Sequence, residues 1–258
     1  MIFCTFFSSG IFFNYPQKTL ATSTKKPKLA IVIDDFGSYD EAGVSELLTL
    51  KIPLTCAVLP NTDNTNKHLS LLKNSPFETI LHMPMQSHVN LPESWYGPVY
   101  ISNNDQAENA VQKLEQCLSQ MPNVKGFNIH IGSGVSQNEK LMTTIYDFAK
   151  KHNLYFLDSR TIETQATINA CESTGSIYLG RDVFLEADKN RSYAGVKYRL
   201  NEAIKTAKEN GYAIAIGHVG AEGGINTAKA ITDMLPEIKK SGIEIVPLSK
   251  IYNDLKHK

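Results

Sequence analysis

Short apolar runs alternate with amphipathic stretches along almost the whole chain, and that alternation limits the fold more than any single motif does. The runs read KLAIVID (28–34), PLTCAVL (53–59), ETILHMP (78–84), KGFNIHI (125–131), YFLDSR (155–160), SIYLGRD (176–182), YAIAIGH (212–218) and EIVPLS (244–249). They are short and rich in β-branched or aromatic residues, the pattern of buried strands. Between several of them lie helical patterns. Val111, Leu114, Leu118 and Met121 fall at helical spacing within 105–121, as do Leu141, Ile145, Phe148 and Ala149 within 139–150. Asn104–Asp105 offers a start for the first of these helices. Strand and helix alternating about seven times argue for a parallel sheet covered by helices. At 258 residues, a closed or nearly closed (β/α) barrel of about seven parallel strands is the first choice, and a doubly wound open sheet the second. No low-complexity linker and no solenoid-type repeat interrupts 28–258, which reads as one domain.

In such a sheet the chemistry belongs at the carboxyl ends of the strands, which share one face. Asp34 and Asp35 end the first run, His82 lies near the end of the third and His130 near the end of the fourth. Asp158 and Arg160 follow the fifth, Arg181 and Asp182 the sixth, and His218 closes the seventh. Two adjacent carboxylates repel each other, and burial sharpens the repulsion. A cation compensates them. Two histidines and one carboxylate are a common ligand set for catalytic zinc, with a position left for water whose pKa the ion lowers towards ~7. One aspartate then binds the cation while its neighbour stays free as general base. Adjacent strand residues point to opposite faces, so both reach one pocket only if the backbone turns, and Gly37 supports a turn there.

Composition removes some function classes. Lysine plus arginine equal aspartate plus glutamate at 26 each, so no basic excess exists to hold nucleic acid or an anionic membrane surface. The four cysteines, Cys4, Cys56, Cys117 and Cys171, contain no C-x-x-C pair, which argues against a thiolate zinc site, and Cys56 and Cys117 read as small core residues. The apolar stretch 2–13 is too short to span a bilayer comfortably and fits an export signal or short anchor, with a polar tail to residue 27. The mature protein is therefore expected outside the cytoplasm, with membrane contact only through that segment, and as a monomer. His68, His152 and His257 sit in polar surroundings and read as surface residues. GAEGG (220–224) reads as a connector or substrate-facing loop and lacks the lysine of a phosphate cradle. Trp95 lies in NLPESWYGPVY, either anchoring that loop in the core or offering a sugar-stacking face.

Taken together, IVIDDFG, PLTCAVLP, ILHMPMQ, NIHIGS, FLDSRT, RDVFLE, IAIGH and IVPLS resemble the divergent polysaccharide deacetylase family, a distant branch of the NodB-type carbohydrate esterases. The resemblance runs from Lys28 to about Leu255. It implies a distorted (β/α) barrel and metal-dependent removal of N- or O-acetyl groups from a polysaccharide or oligosaccharide. The NodB-type motif T-F-D-D-G uses its first aspartate as base and its second as metal ligand, which would make Asp34 the base and Asp35 the ligand. H-x-x-x-H supplies two metal histidines. Here His82 keeps the first place, Gln86 occupies the second, and His130 is the natural replacement, with His88 a weaker candidate. The final leucine-x-histidine motif supplies a general acid, which would be His218. Arg160 or Arg181 would orient the base by an ion pair, with Asp158 and Asp182 as further pocket carboxylates and Trp95 as a glycan contact. Backbone N–H groups near Gly132–Ser133 would help stabilise the oxyanion. Zinc is the expected ion. Two rivals stand beside this reading: an inactive barrel of the cell envelope that binds glycan or metal, and a metal hydrolase of another bond.

Overall fold

The computed structural model describes residues 26–187 and 191–257. All but the last two residues of the expected export segment, with Cys4, lie outside them. The strands are β1 (Lys28–Phe36), β2 (Thr55–Val58), β3 (Glu78–Met85), β4 (Gly126–Ile131), β5 (Tyr155–Asp158), β6 (Leu179–Gly180), β7 (Val183–Phe184), β8 (Tyr212–His218) and β9 (Glu244–Ile245). The α-helices are α1 (Val44–Leu48), α2 (Thr65–Leu72), α3 (Ala107–Ser119), α4 (Glu139–Lys151), α5 (Ala166–Ser173), α6 (Tyr193–Asn210), α7 (Gly224–Lys240) and α8 (Leu248–Lys256). Their positions follow the apolar periodicity closely. The Asn104–Asp105 pair does not start α3. Its N-cap is Gln106, and Asp105 Oδ2 instead accepts from Ser102 N and Lys113 Nζ.

Every ladder is parallel, in the order β6-β5-β4-β3-β2-β1-β8-β7, with β9 beside β1. β6 and β7 stand at opposite ends of that path, yet only Arg181 and Asp182 separate them in sequence. The flanking Cα atoms can lie at most roughly 11 Å apart, so the sheet must curl until its edges meet. The run SIYLGRD, read as one strand, is thus a seam. Arg181 N donates to Asp158 O on one edge and Asp182 N to Ile214 O on the other. Successive amides serve opposite edges, so the chain itself closes this distorted (β/α) barrel.

Alternation divides the side chains into two cores. Leu29, Ile31 and Ile33 of β1 pack outward under the helices with Phe127, Ala213 and Ala215. Ala30 and Val32 point inward with Ala57, Ile80, Leu157, Ile214 and Ile216. α8 plugs the amino-terminal end, placing Leu248 and Ile251 in the inner core, while its first turn is held by Leu248 N to Thr55 Oγ1 (2.9 Å) and Ser249 N to Glu78 Oε1 (3.0 Å). Each such fully buried aliphatic side chain stabilises the fold by about 1.5–3 kcal/mol. With one end plugged, the inward residues at the carboxyl ends of the strands are left to form the site. Cys56, Cys117 and Cys171 are buried free thiols, and burial pushes Cys117 and Cys171 up to about 12.

Candidate metal centre and catalytic pocket

Asp34 continues the inward series of Ala30 and Val32 and pairs in register with His218 of β8. Asp35 should point outward by alternation. It does not, because its backbone is left-handed (φ 66°) and the β1–β2 register shifts between Ile33 and Phe36. A non-glycine residue in that region costs about 1–3 kcal/mol and persists where its surroundings hold it. Here Leu59 N donates to Phe36 O (2.7 Å) and Ser38 N to Asp35 O (3.1 Å). Gly37 follows at φ +92°, where a Cβ would lie 2.9 Å from Leu59 O. The turn expected from DDFG is therefore real, and it aims both carboxylates into the barrel mouth.

Asp35 Oδ1 lies 3.3 Å from His82 Nε2 and 3.2 Å from His130 Nδ1, and those nitrogens are 3.1 Å apart. Among the described residues this is the one set of three histidine, cysteine or carboxylate groups gathered closely enough to hold a metal ion. A tetrahedral ion bonded at about 2.0–2.1 Å has ligand–ligand edges of roughly 3.3 Å, so the triangle fits one face of such a site. Asp35 Oδ1 is also buried without a hydrogen bond. Such an atom ordinarily costs stability, and a cation would satisfy it.

The outer partners decide which imidazole nitrogens carry lone pairs. Asn128 Nδ2 donates to Asp34 Oδ1 (2.8 Å), which turns Asn128 Oδ1 towards His82 Nδ1 at 2.7 Å. That oxygen can only accept, so His82 carries its proton on Nδ1 and presents a lone pair at Nε2. His130 Nε2 donates to the Trp95 carbonyl (3.1 Å), leaving the lone pair on Nδ1. Both lone pairs enter the triangle, the arrangement that hydrogen bonds to the far ring nitrogens impose on metal-binding histidines. Burial works against a charged His82, but Asp34 and then Asp35 outweigh it and raise its proton affinity. Proton and cation thus compete for the same nitrogen.

The two aspartates diverge electrostatically. Burial raises the Asp34 pKa, against the smaller pull of His82 and His218. Burial acts on Asp35 too, but its two close imidazole neighbours, His130 and then His82, when protonated carry it well below the usual carboxylate range. On the opposite side, His218 Nδ1 meets Glu186 Oε2 at 3.0 Å, and Glu186 Oε1 accepts from His218 N (3.0 Å) and from the Thr227 hydroxyl. Burial lowers the His218 pKa, yet Glu186, reinforced by Asp35 and Asp34, lifts it to about 9.

The other expected residues scatter. Asp158 shares the parity of outward Phe156, and its carboxylate accepts from Arg160 N (2.8 Å) and Tyr178 OH (2.8 Å). It braces the loop behind the site. Asp182 lies in the seam, where Oδ2 accepts from Ile214 N (2.8 Å), four residues before His218 along β8. Neither is a pocket carboxylate. Arg181 donates to the carbonyls of Ser159 and Arg160 (both 2.7 Å), and Arg160 Nε donates to Tyr178 OH (3.2 Å). Neither arginine is within ion-pair distance of Asp34, whose Oδ1 accepts from Asn128, although the Asp34 charge is felt at Arg181. Arg181 instead stacks 5.0 Å from the Phe184 ring, which meets His218 edge-on at 5.2 Å.

Gln86 Oε1 accepts from Ser102 Oγ and Asn103 N, tying down a loop, and His88 Nδ1 bonds Ser133 Oγ at 2.8 Å, outside the metal triangle. Gly132 N donates to Met85 O and is committed to the backbone rather than to an oxyanion. Trp95 is 59% exposed and does not anchor its loop, which Tyr96 does instead, buried and stacked on Tyr100. His68, expected at the surface, is fully buried. Sequence reasoning missed Asn128, although it sits two residues before His130 on the same strand face, and Glu186, the last residue of RDVFLE.

Comparison with known proteins agrees with this fold. Residues 31–252 match the model of the divergent polysaccharide deacetylase family. The uncharacterised protein YibQ of Escherichia coli K12 is 34% identical over 193 residues, 74% of this chain, which spans 58% of that protein's length. Among solved structures, an uncharacterised protein of Agrobacterium tumefaciens C58 superposes with TM-score 0.77 at 19% identity, covering 91% of this chain and 92% of that one. A peptidoglycan N-acetylglucosamine deacetylase shares the fold at TM-score 0.52 and 16% identity over 90% of both chains. A pseudoenzyme of carbohydrate esterase family 4 from Bacillus anthracis shares it at 0.51 and 10%, over 88% of this chain and 66% of its own. The chain belongs to the divergent polysaccharide deacetylase family.

Proposed function

We propose that this member of the divergent polysaccharide deacetylases is a metal-dependent hydrolase that removes N- or O-acetyl groups from a polysaccharide outside the cytoplasm. The observation that carries the reading is the triangle of Asp35 Oδ1, His82 Nε2 and His130 Nδ1, with edges of 3.1–3.3 Å, beside an aspartate and a histidine suited to move protons. The extracytoplasmic placement rests on the apolar segment at 2–13. No helix among the described residues is long and apolar enough to cross a membrane.

A divalent ion held by Asp35, His82 and His130, with zinc favoured by the N₂O donor set, would supply Lewis-acid polarisation of the acyl carbonyl and acidify water. Asp34 is the general base. Asn128 occupies its Oδ1, and its burial raises its hunger for a proton at the moment water attacks. His218 is the general acid. With a pKa of about 9 it is protonated at neutral pH and gives that proton to the leaving nitrogen or oxygen as the acyl bond breaks. Water thus contributes hydroxyl to the acyl carbon and its proton to Asp34, and the products are acetate and the free amine or alcohol. Trp95, exposed and tied to His130 through its main-chain carbonyl, offers an indole face for the sugar ring.

The test is acetate release from N-acetylated glycan oligomers by zinc-loaded protein, beside Asp34→Asn, His218→Gln and His82→Ala. Release in the parent, with loss in all three variants and loss of metal in His82→Ala, is expected. Gln86 in place of the second H-x-x-x-H histidine favours the rival reading, a barrel that binds without turning over. Zinc retention with no acetate release would select it.

A further inference from the structure

We propose that His68 is a positioning residue for the metal centre: it locks the turn that carries Asp35 and so sets how tightly the site holds a cation. The inference rests on the metal reading of Asp35, His82 and His130. His68 lies on α2, fully buried, and neither touches the ligands nor belongs to any motif the site was read from. Its Nδ1 accepts from Gly37 N at 2.6 Å, two residues beyond Asp35. Its Nε2 lies 2.7 Å from Glu41 Oε1. A backbone amide only donates and an ionised carboxylate only accepts, so the ring is the neutral tautomer with its proton on Nε2. One imidazole therefore staples two points of the loop between β1 and α1, and it also meets Phe36 edge-on at 5.7 Å.

The same turn is gripped by neighbours of His68. The Thr62 hydroxyl donates to Gly37 O, and Asn64 Nδ2 donates to Ser38 O at 2.9 Å. These bonds hold the carbonyl side of the turn, while the Gly37 amide depends on His68. Without that acceptor the amide is a buried donor with no partner, a state that backbones relax by rotating. The rotation would fall on the peptide between Phe36 and Gly37, whose carbonyl would then be held by Leu59 N alone, one residue beyond Asp35 at φ 66°. Asp35 Oδ1 would then leave its place in the triangle, and three ligands spaced for one ion would no longer converge.

The experiment is zinc titration by calorimetry, with the visible absorption of bound Co²⁺ as a second readout, on the parent, His68→Asn, His68→Gln and His68→Leu. The amide oxygen of asparagine can replace Nδ1, whereas glutamine reaches only the Nε2 position and leucine neither. Zinc affinity is expected to fall roughly tenfold or more in His68→Leu and His68→Gln, the scale seen when a group that orients a metal ligand is lost, and to recover in His68→Asn. The cobalt spectrum should change in the same two variants. If His68→Leu fails to fold, the asparagine–glutamine contrast still decides. Equal zinc affinities in all folded variants, whatever happens to Tm, would overturn the proposal and leave His68 a packing residue. A parent that binds no zinc would instead bring down the metal reading, and this proposal with it.

Discussion

Replacing Glu186 by glutamine tests the acid side of the pocket with little change of shape. Glu186 Oε1 accepts from His218 N and the Thr227 hydroxyl, and a glutamine oxygen can keep both bonds. The Oε2 that faces His218 Nδ1 at 3.0 Å becomes an NH₂ group, which favours a lone pair on Nδ1 and so the neutral ring. Burial already lowers the His218 pKa, and Glu186 is the chief influence raising it from 6.5 to about 9. In Glu186→Gln it should fall to near 6.5 or below. At about 1.36 kcal/mol per pH unit, that is a loss of about 3 kcal/mol of preference for the charged ring. The stability consequence has a definite sign. A folded pKa above the unfolded one stabilises fully below about pH 6.5 and ceases to as pH rises through about 9. The deficit of Glu186→Gln should therefore be largest at pH 6 and shrink towards pH 9. NMR titration of the His218 ring in chelator-treated protein measures the pKa directly, and urea unfolding at the two pH values measures the stability. A fall of less than one pH unit, or a deficit that grows with pH, would refute the account of how His218 is kept protonated.

Three further outcomes follow from the geometry. Asn128→Ala breaks the bridge from Asp34 to His82 and should weaken zinc binding about 10- to 100-fold, measured by chelator competition; unchanged affinity would show that His82 needs no orienting partner. Trp95→Ala should leave zinc affinity within about threefold, because the carbonyl bonded to His130 belongs to the main chain, while raising KM for acetylated oligosaccharides roughly fivefold, the equivalent of about 1 kcal/mol of stacking. As the single tryptophan of the chain, Trp95 also reports glycan binding by its own fluorescence. Gly37→Ala places a Cβ 2.9 Å from Leu59 O at φ +92° and should cost about 2 kcal/mol or more, read as a drop in Tm of roughly 5 °C or more.

Much of the site was legible because alternation and strand ends are sequence properties. Asp34, His82 and His218 each close an inward series, and His130 follows Asn128 by one strand period, so apolar runs alone brought together residues nearly 190 positions apart. The failures share a cause. Asp158 also ends a strand, but on the outward parity of Phe156, and its neighbours Tyr178 and Arg160 complete an outer network. The run holding Asp182 looked like one strand because no local pattern records that consecutive amides bond opposite edges of a barrel. His68 sits among polar residues on a short helix, and only the packing of the β1–α1 loop over it makes it buried. In each case a long-range contact overrode what the local sequence signalled.

The division of labour between Asp34 and Asp35 comes from one backbone dihedral. Asp34 is almost wholly removed from water and Asp35 keeps only slight exposure, so burial alone would raise both pKa values. Had Asp35 kept the extended conformation, alternation would have turned it away from the histidines and left Asp34 alone in the mouth. The left-handed turn at φ 66° instead puts Asp35 Oδ1 within 3.3 Å of two imidazole nitrogens, while Asp34 Oδ2 stays 3.8 Å from His82 Nε2. The first carboxylate is thereby held ionised, as a ligand must be, and the second is left wanting a proton, as a base must be. Adjacent residues of one type acquire opposite proton affinities because they differ in geometry and partners, and two groups so separated are the usual mark of an acid–base assignment. The strain at Asp35 is thus tied to the chemistry, and the contacts that hold its turn, among them the bond from Gly37 to His68, belong to the site as much as the ligands do.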